Sequence, residues 1–438
     1  IDGFPSNISM TVPFANSEVA ARRDIKLLLD TPKREQLAPG LDVILTGNTP
    51  VKVAGSGESL QIEADLTPAT LTLPWIGWAK GEGVEASAVF NLLQGDTITT
   101  LENFKLSGGS FGATGEIDAD SLGLKRARFG FAKLNQGDDV SLDVTRNGDG
   151  YDVDVSGNAF DARAIMRYAR AQARNAEPSD GDVPVNVTAN IKRVTGFHGE
   201  YLDNVTVTMR VRDGTVTYLR INGSTTSGFP VNLSVDGAGA SRSVSLEALG
   251  AGEALRFADI YTNVRGGTVS MALKAIDAQT LAGQGTLRDF RVFNEPKLAQ
   301  LVSTSASNSQ SLEEAVNKKI DTREVKFEIA SSELVFKPGR LEVAKAIARG
   351  PLAGFSIQGL VFDSNNQTRL TGTFLPAYGL NRLFGEIPIL GALLGNGRDR
   401  GLIGVTFKLD GSYDDPNVTV NPLSVIAPGI FRSIFEFR

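Results

Sequence analysis

Short runs in which apolar and polar residues alternate recur along this chain, and that period of two limits its possible folds more than any other feature. Leu60, Ile62, Ala64 and Leu66 alternate with Gln61, Glu63 and Asp65. Val205, Val207, Met209 and Val211 alternate with Thr206, Thr208, Arg210 and Arg212, and Val231, Leu233 and Val235 with Asn232, Ser234 and Asp236. Val269/Met271/Leu273, Val325/Phe327/Ile329 and Val405/Phe407/Leu409 repeat the pattern. Successive side chains on a strand point to opposite faces, so each run has one oily and one wet side. Turn dipeptides separate the runs: Asn147-Gly148, Asp149-Gly150, Asp213-Gly214 and Asp236-Gly237. The expectation is a mainly β chain, an antiparallel sheet with one face covered.

Helical patterns are few. Residues 17–31 open with Ser17 as a cap before good helix formers, and 161–174 open with Asp161. Residues 295–302 and 311–320 also read as helical, split by a Ser/Asn-rich loop at 303–310. Leu380, Leu383, Phe384 and Ile387 fall at helical spacing until Pro388 ends the run. At the end of the chain, "NPLSVIAPGIFRSIFEFR" places Ile430, Phe431, Ile434, Phe435 and Phe437 on one helical face and Arg432, Ser433 and Glu436 on the other. The polar stretch 175–183 reads as a linker or a surface loop.

Composition removes whole classes of function. A net charge of −6 argues against nucleic-acid binding, which needs a concentrated basic footprint. The chain has no cysteine, hence no disulfide, thiolate nucleophile or Cys-based zinc site, and its one histidine is His198. No apolar run reaches the length of a transmembrane helix. The chain begins at Ile1 rather than Met, as expected of a processed protein or a piece whose anchoring segment lies upstream.

Four motifs invite chemical readings. "GGSFG" (108–112) matches the nucleophile elbow around Ser110, but it leads into "ATGEIDAD", a turn and strand instead of the helix the elbow requires. "DVTRNGDGYDVD" (143–154) resembles a calcium loop, with strand-like flanks where two helices belong and Asp in place of the terminal Glu. Arg163, Arg167, Arg170 and Arg174 form a stripe suited either to anionic headgroups or to solvent beside acidic neighbours. Trp75 and Trp78 suit either an interfacial belt or packing at a sheet end.

Longer phrases carry a resemblance. "ADLTPATLTLPWIGWAKGEG" (64–83) and "GDDVSLDVTRNGDGYDVDVSGNAFDARAIM" (137–166) resemble the central region of AsmA-like proteins of the YhdP type. "LTGTFLPAYGLNRLFGEIPILGALLG" (370–395) and "GLIGVTFKLDGSYDDPNVTVNPLSVIAPGIFR" (401–432) are similar to that family's C-terminal region. "GTLRDFRVFNEPKLAQLV" (285–302) and "SSELVFKPGRLEVAKAIARGPLAGFSIQGLVF" (331–362) lie between them in the expected order. The resemblance implies a bridge-like lipid transfer protein of a Gram-negative envelope: a long sheet curled like a taco around an apolar groove, periplasmic, anchored in the inner membrane near an N-terminus absent here. On that reading, 1–290 forms the repetitive groove region and 291–438 the C-terminal continuation ending in amphipathic helices. Phospholipid acyl chains are the expected partners, with the outer membrane or one of its proteins at the C-terminal end. The resemblance carries over no catalytic or metal residue, and no cofactor is expected.

Groove-lining candidates from the alternation are Val205, Val207, Met209, Leu233, Val269, Met271, Val325, Phe327, Ile329, Val405 and Phe407. Membrane- or partner-contact candidates are Leu380, Leu383, Phe384, Ile387, Ile430, Phe431, Ile434 and Phe435. An assembly scaffold that binds an outer-membrane protein through exposed sheet edges is the competing reading. A hydrolase built on Ser110 and His198 is a third.

Overall fold

The computed structural model describes residues 6–11, 22–38, 40–56, 59–174, 183–306, 321–376 and 405–421. The described residues are mainly β, 65% in strands and 12% in helices, with most of the strands in a large twisted mixed sheet. Two compact units are present. Unit 1 comprises Ile1–Ala169, Asp180–Thr195 and Asp203–Thr215; unit 2 comprises Arg170–Ser179, Gly196–Leu202 and Val216–Arg438.

The strands of the first unit are β1 (Ser6–Thr11), β2 (Arg22–Leu29), β3 (Leu45–Gly47), β4 (Thr49–Ser56), β5 (Ser59–Asp65), β6 (Ala69–Leu73), β7 (Trp78–Lys80), β8 (Ala86–Gln94), β9 (Thr99–Gly108), β10 (Gly112–Asp120), β11 (Gly123–Lys133), β12 (Asp139–Asn147), β13 (Gly150–Asp161) and β14 (Val185–Thr195). The main ladder runs β1-β2-β4-β5-β8-β9-β10-β11-β12-β13-β14, each strand pairing with the next along the chain. The excursions between β2 and β4 and between β5 and β8 build a second, three-stranded sheet, β3-β6-β7, and the helix α1 (Thr31–Leu37). These excursions close one end of the apolar face, where Leu45, Leu66 and Ala69 pack with Leu29, Val51, Ile62, Ala88 and Phe111. Two buried cations hold the closure together. Arg34 donates to the carbonyls of Leu29, Leu45 and Gly47 and to Thr31 and Thr49 at 2.7–3.1 Å. Lys80 Nζ donates to the carbonyls of Leu66, Thr67 and Ala69.

Two sequence expectations are corrected here. The helix expected over 17–31 is a strand in its described part, because Arg22–Leu29 is held between β1 and β4. Pairing on both sides and burial of Ile25, Leu27 and Leu29 on one face outweigh the helix propensity of the same residues. Nor is the sheet wholly antiparallel: β13 and β14 run parallel, with Val153 opposite Val187 and Val155 opposite Ala189. A parallel pair needs a crossover, and the expected helix at 161–174 forms inside it as α2 (Arg163–Arg174), with Asp161 accepting from the Arg163 amide.

β15 (Tyr201–Arg212) lies in unit 1 from Asp203 on, and unit 2 is built in the same manner from β16 (Thr215–Thr225), β17 (Pro230–Asp236), β18 (Ser243–Ala248), β19 (Val264–Ala275), β20 (Leu281–Phe293), β21 (Glu324–Lys337), β22 (Arg340–Arg349), β23 (Ala353–Phe362), β24 (Gln367–Pro376), β25 (Val405–Ser412) and β26 (Asn417–Asn421). From β16 to β26 every neighbour is antiparallel and consecutive. Among the described residues two α-helices interrupt this meander: α3 (Ala251–Phe257), with no counterpart in the sequence reading, and α4 (Pro296–Ala306), expected from 295–302. The candidate helices at 311–320, 379–387 and 428–437, and the linker at 175–182, lie outside the described residues.

Strict alternation does not survive along every strand. Leu101 and Phe104 both face the apolar side of β9 although they are three positions apart, and Asn103 between them has φ 54°. Leu287 and Phe290 on β20 are related in the same way through Asp289, φ 52°. Asn and Asp tolerate this left-handed backbone best after glycine, so the chain shifts phase there without losing its apolar face. Gly115 serves the same region: a Cβ on it would lie 2.0 Å from the Arg128 carbonyl oxygen. Its bareness lets Phe104 and Phe129, two strands apart, meet edge to face at 5.8 Å. Gly115→Val is therefore expected to destabilise unit 1 by about 1–3 kcal/mol, read as a lowered urea midpoint.

Candidate functional site

The feature that stands out in unit 1 is the order of side chains across the ladder. Val140, Leu142 and Val144 on β12 lie opposite Gly157, Val155 and Val153 on β13, which lie opposite Ile191, Ala189 and Val187 on β14. In the other direction Leu142 and Val144 face Phe129 and Ala127, which face Gly115 and Ile117, which face Phe104 and Leu101. Intervening positions give the opposite face: Asp143 meets Asp154, and Ser141 meets Ser156. Residues opposite each other in a ladder share a face, so one face is apolar and the other polar from strand to strand. Leu142, Val144, Val153, Val155 and Val187 are only half-buried.

Unit 2 repeats the arrangement. Leu219 and Ile221 face Val235 and Leu233; these face Val244 and Leu246, and these face Leu273 and Met271. Beyond them come Gly283 and Gly285, then Leu334 and Ser332. On the other face Asn232 meets Glu247, which meets Ser270.

The candidates fall into separate environments. Leu233, Val269 and Met271 belong to the half-buried row of unit 2. Val325, Phe327 and Phe407 are 0, 3 and 4% exposed, packed under Leu298, Leu301 and Val302 of α4. Ile329 lies opposite Arg288 and Arg349, while its neighbour Ala330 packs on the apolar cluster, so the phase shift separates it from Phe327. On β15, Val205 is buried and Val207 and Met209 are half-buried. Val405 is described only as the strand partner of Phe374. Leu380, Leu383, Phe384, Ile387, Ile430, Phe431, Ile434 and Phe435 lie outside the described residues. The sequence reading missed Leu219, Ile221, Leu246 and the β12–β14 row; their alternation is present in the sequence, diluted by serine and glycine.

The chemical motifs resolve into local structure. Ser110 is exposed at the tip of the β9–β10 hairpin, a strand–turn–strand context. The calcium-like segment forms the β12–β13 hairpin, and the Asp143 carboxylate receives Arg126 at 2.8 Å. Trp78 donates to the Leu134 carbonyl at 3.0 Å and meets Phe111 edge to face, while Trp75 is exposed. Of the arginine stripe, Arg163 pairs with Asp161 and Arg170 with Asp259, and Arg174 lies over the rings of Phe362 and Tyr413. Arg163 and Arg170 thus have the acidic neighbours that the neutralised-face reading expects, whereas Arg174 rests on aromatic rings.

His198 places Nε2 2.6 Å from Asp259 Oδ1, so Asp259 lies between His198 and Arg170. Burial works to raise the Asp259 carboxyl, but the hydrogen bonds from Arg170 and His198 outweigh it and hold the group below its ordinary range. A depressed carboxyl contributes stability above the ordinary carboxylate pKa of about 3.9 and loses it as pH falls through the folded value. The urea midpoint of unit 2 should therefore drop as pH is lowered below about 4, and Asp259→Asn should remove part of that drop.

Against family models, curated proteins and solved structures, the chain gives no match.

Proposed function

We propose that this chain is part of a non-enzymatic phospholipid conduit, whose sheet curls into a taco-like apolar groove that shelters acyl chains while headgroups stay in water. The observation that carries the reading is the row of half-buried apolar side chains kept in register across successive strands, backed by a polar face. Such a row offers cover to hydrocarbon at every strand, and each CH₂ withdrawn from water is worth about 0.8 kcal/mol. The row presents few hydrogen-bonding groups to a headgroup, so lipid is held without being trapped. The resemblance to AsmA-like proteins supports the same reading and supplies its setting. The full-length protein is anchored in the inner membrane, spans the periplasm and delivers lipid between the inner and outer membranes.

Photo-crosslinking tests this. A photoreactive residue at Leu142, Val155, Leu233 or Met271 is expected to capture phospholipid in cells. The same residue at Ser141, Ser156 or Ser234, on the other face, is expected to capture none. Equal labelling of both faces would sink the conduit, and lipid-free protein at all positions would leave the scaffold that binds an outer-membrane protein through its sheet edges.

A further inference from the structure

Resting on the conduit reading, we propose that the phenylalanine floor beneath α4 is itself an acyl-chain site, and that α4 is the occupant that yields when lipid enters. Phe290, Phe327 and Phe374 in the floor are 4, 3 and 0% exposed. Their rings, with Phe355, form a row at centroid spacings of 5.2, 5.9 and 5.0 Å that runs over β20, β21, β23 and β24. Leu287 and Ala330, immediately past the phase shift, pack on this cluster and also pair with each other in the ladder, where Leu287 faces Val269 of the half-buried row. Floor and row are thus one continuous apolar surface, part covered and part not.

What covers it is interchangeable with lipid. The α4 residues in the cluster, Leu298, Leu301 and Val302, share it with the floor and carry hydrocarbon side chains. Polar ties hold the helix at its N-terminal end. The Glu295 carboxylate accepts from Tyr261, Asn263 and the Lys297 amide, and Lys297 Nζ reaches Asp415 and the Pro416 carbonyl at 2.8 and 2.6 Å. Farther along, Gln300 Nε2 lies 3.5 Å from the Val418 carbonyl. An acyl chain replacing the side chains of Leu298, Leu301 and Val302 would set hydrocarbon against Phe290, Phe327 and Phe374, as those side chains do. A helix is about 10 Å across, room enough for two hydrocarbon chains side by side. Asp415 is 89% exposed, so the Lys297 tie is one that water competes for.

The test places the photoreactive residue at Phe327 or Phe407, with Leu233 and Met271 as references, in the whole chain mixed with phosphatidylethanolamine–phosphatidylglycerol vesicles. Lys297→Ala removes a tie worth an exposed ion pair, so lipid capture at Phe327 and Phe407 should rise about two- to fivefold while capture at Leu233 stays constant. Gln300→Cys with Val418→Cys, joined by a short bismaleimide in this cysteine-free chain, should abolish capture under α4 and spare Leu233. Probes at Phe327 and Phe407 that label only protein in every variant, while Leu233 takes lipid, would make the floor a sealed core and leave the conduit standing. Absence of lipid at Leu233 and Met271 as well would remove the conduit and this site with it.

Discussion

The double variant Leu142→Lys/Val155→Lys is expected to lose phospholipid transfer between donor and acceptor vesicles by at least about tenfold, the equivalent of 1.4 kcal/mol, while keeping its far-ultraviolet circular dichroism. The two residues are direct cross-strand partners on the apolar face, so the substitution sets two ammonium groups side by side in the proposed path of the acyl chains. Burying an ammonium against hydrocarbon is costly, and a passing chain must either bury it or leave the sheet. The fold survives because both positions are half-buried, which lets the lysine stems lie along the apolar surface with their heads in water. Ser141→Lys/Ser156→Lys places the same charges on the opposite face of the same strands and should transfer normally. Equal losses from the two pairs would mean that charge acts through stability or vesicle attraction and not through the path.

Arg34→Ala is expected to destabilise unit 1 by about 3–5 kcal/mol, seen as a lower urea midpoint and faster proteolysis near residues 31–49. The guanidinium, 4% exposed, is the common donor for three backbone carbonyls, one from β2 and two from β3. Its removal leaves buried acceptors without partners, at about 1–3 kcal/mol each. Arg34→Lys should recover little, because one ammonium cannot replace a planar fork that serves five acceptors.

Much of the sheet was legible. The runs at 60–66, 205–211, 231–235, 269–273, 325–329 and 405–409 fall on strands, and the Asn-Gly and Asp-Gly signals at 147–150 fall on a hairpin turn. Three kinds of feature escaped. Residues 22–29 carry both a helix former's composition and the alternation Ile25, Leu27, Leu29, and only the flanking strands decide between them. The phase shifts at Asn103 and Asp289 each hinge on one residue's backbone, which alternation cannot reveal, so Ile329 was grouped with Phe327. The covering of Phe327 and Phe407 was hidden because α4 and β25 are far apart in sequence, and periodicity says which side of a strand is oily but not what lies on it. The candidate surface was therefore readable strand by strand, and its division into open and covered stretches was not.

Within each unit the main ladder grows by pairing every strand with the one just made. Nothing in such a meander fixes how many hairpins it holds, since removing or duplicating one leaves all other pairings in place. Each added strand advances the edge by about 4.8 Å, so evolution can set the reach of such a protein in small steps, hairpin by hairpin. If the proposed conduit holds, a wider or narrower gap between two membranes would be matched by hairpin number, with no redesign of the surface proposed to meet the lipid.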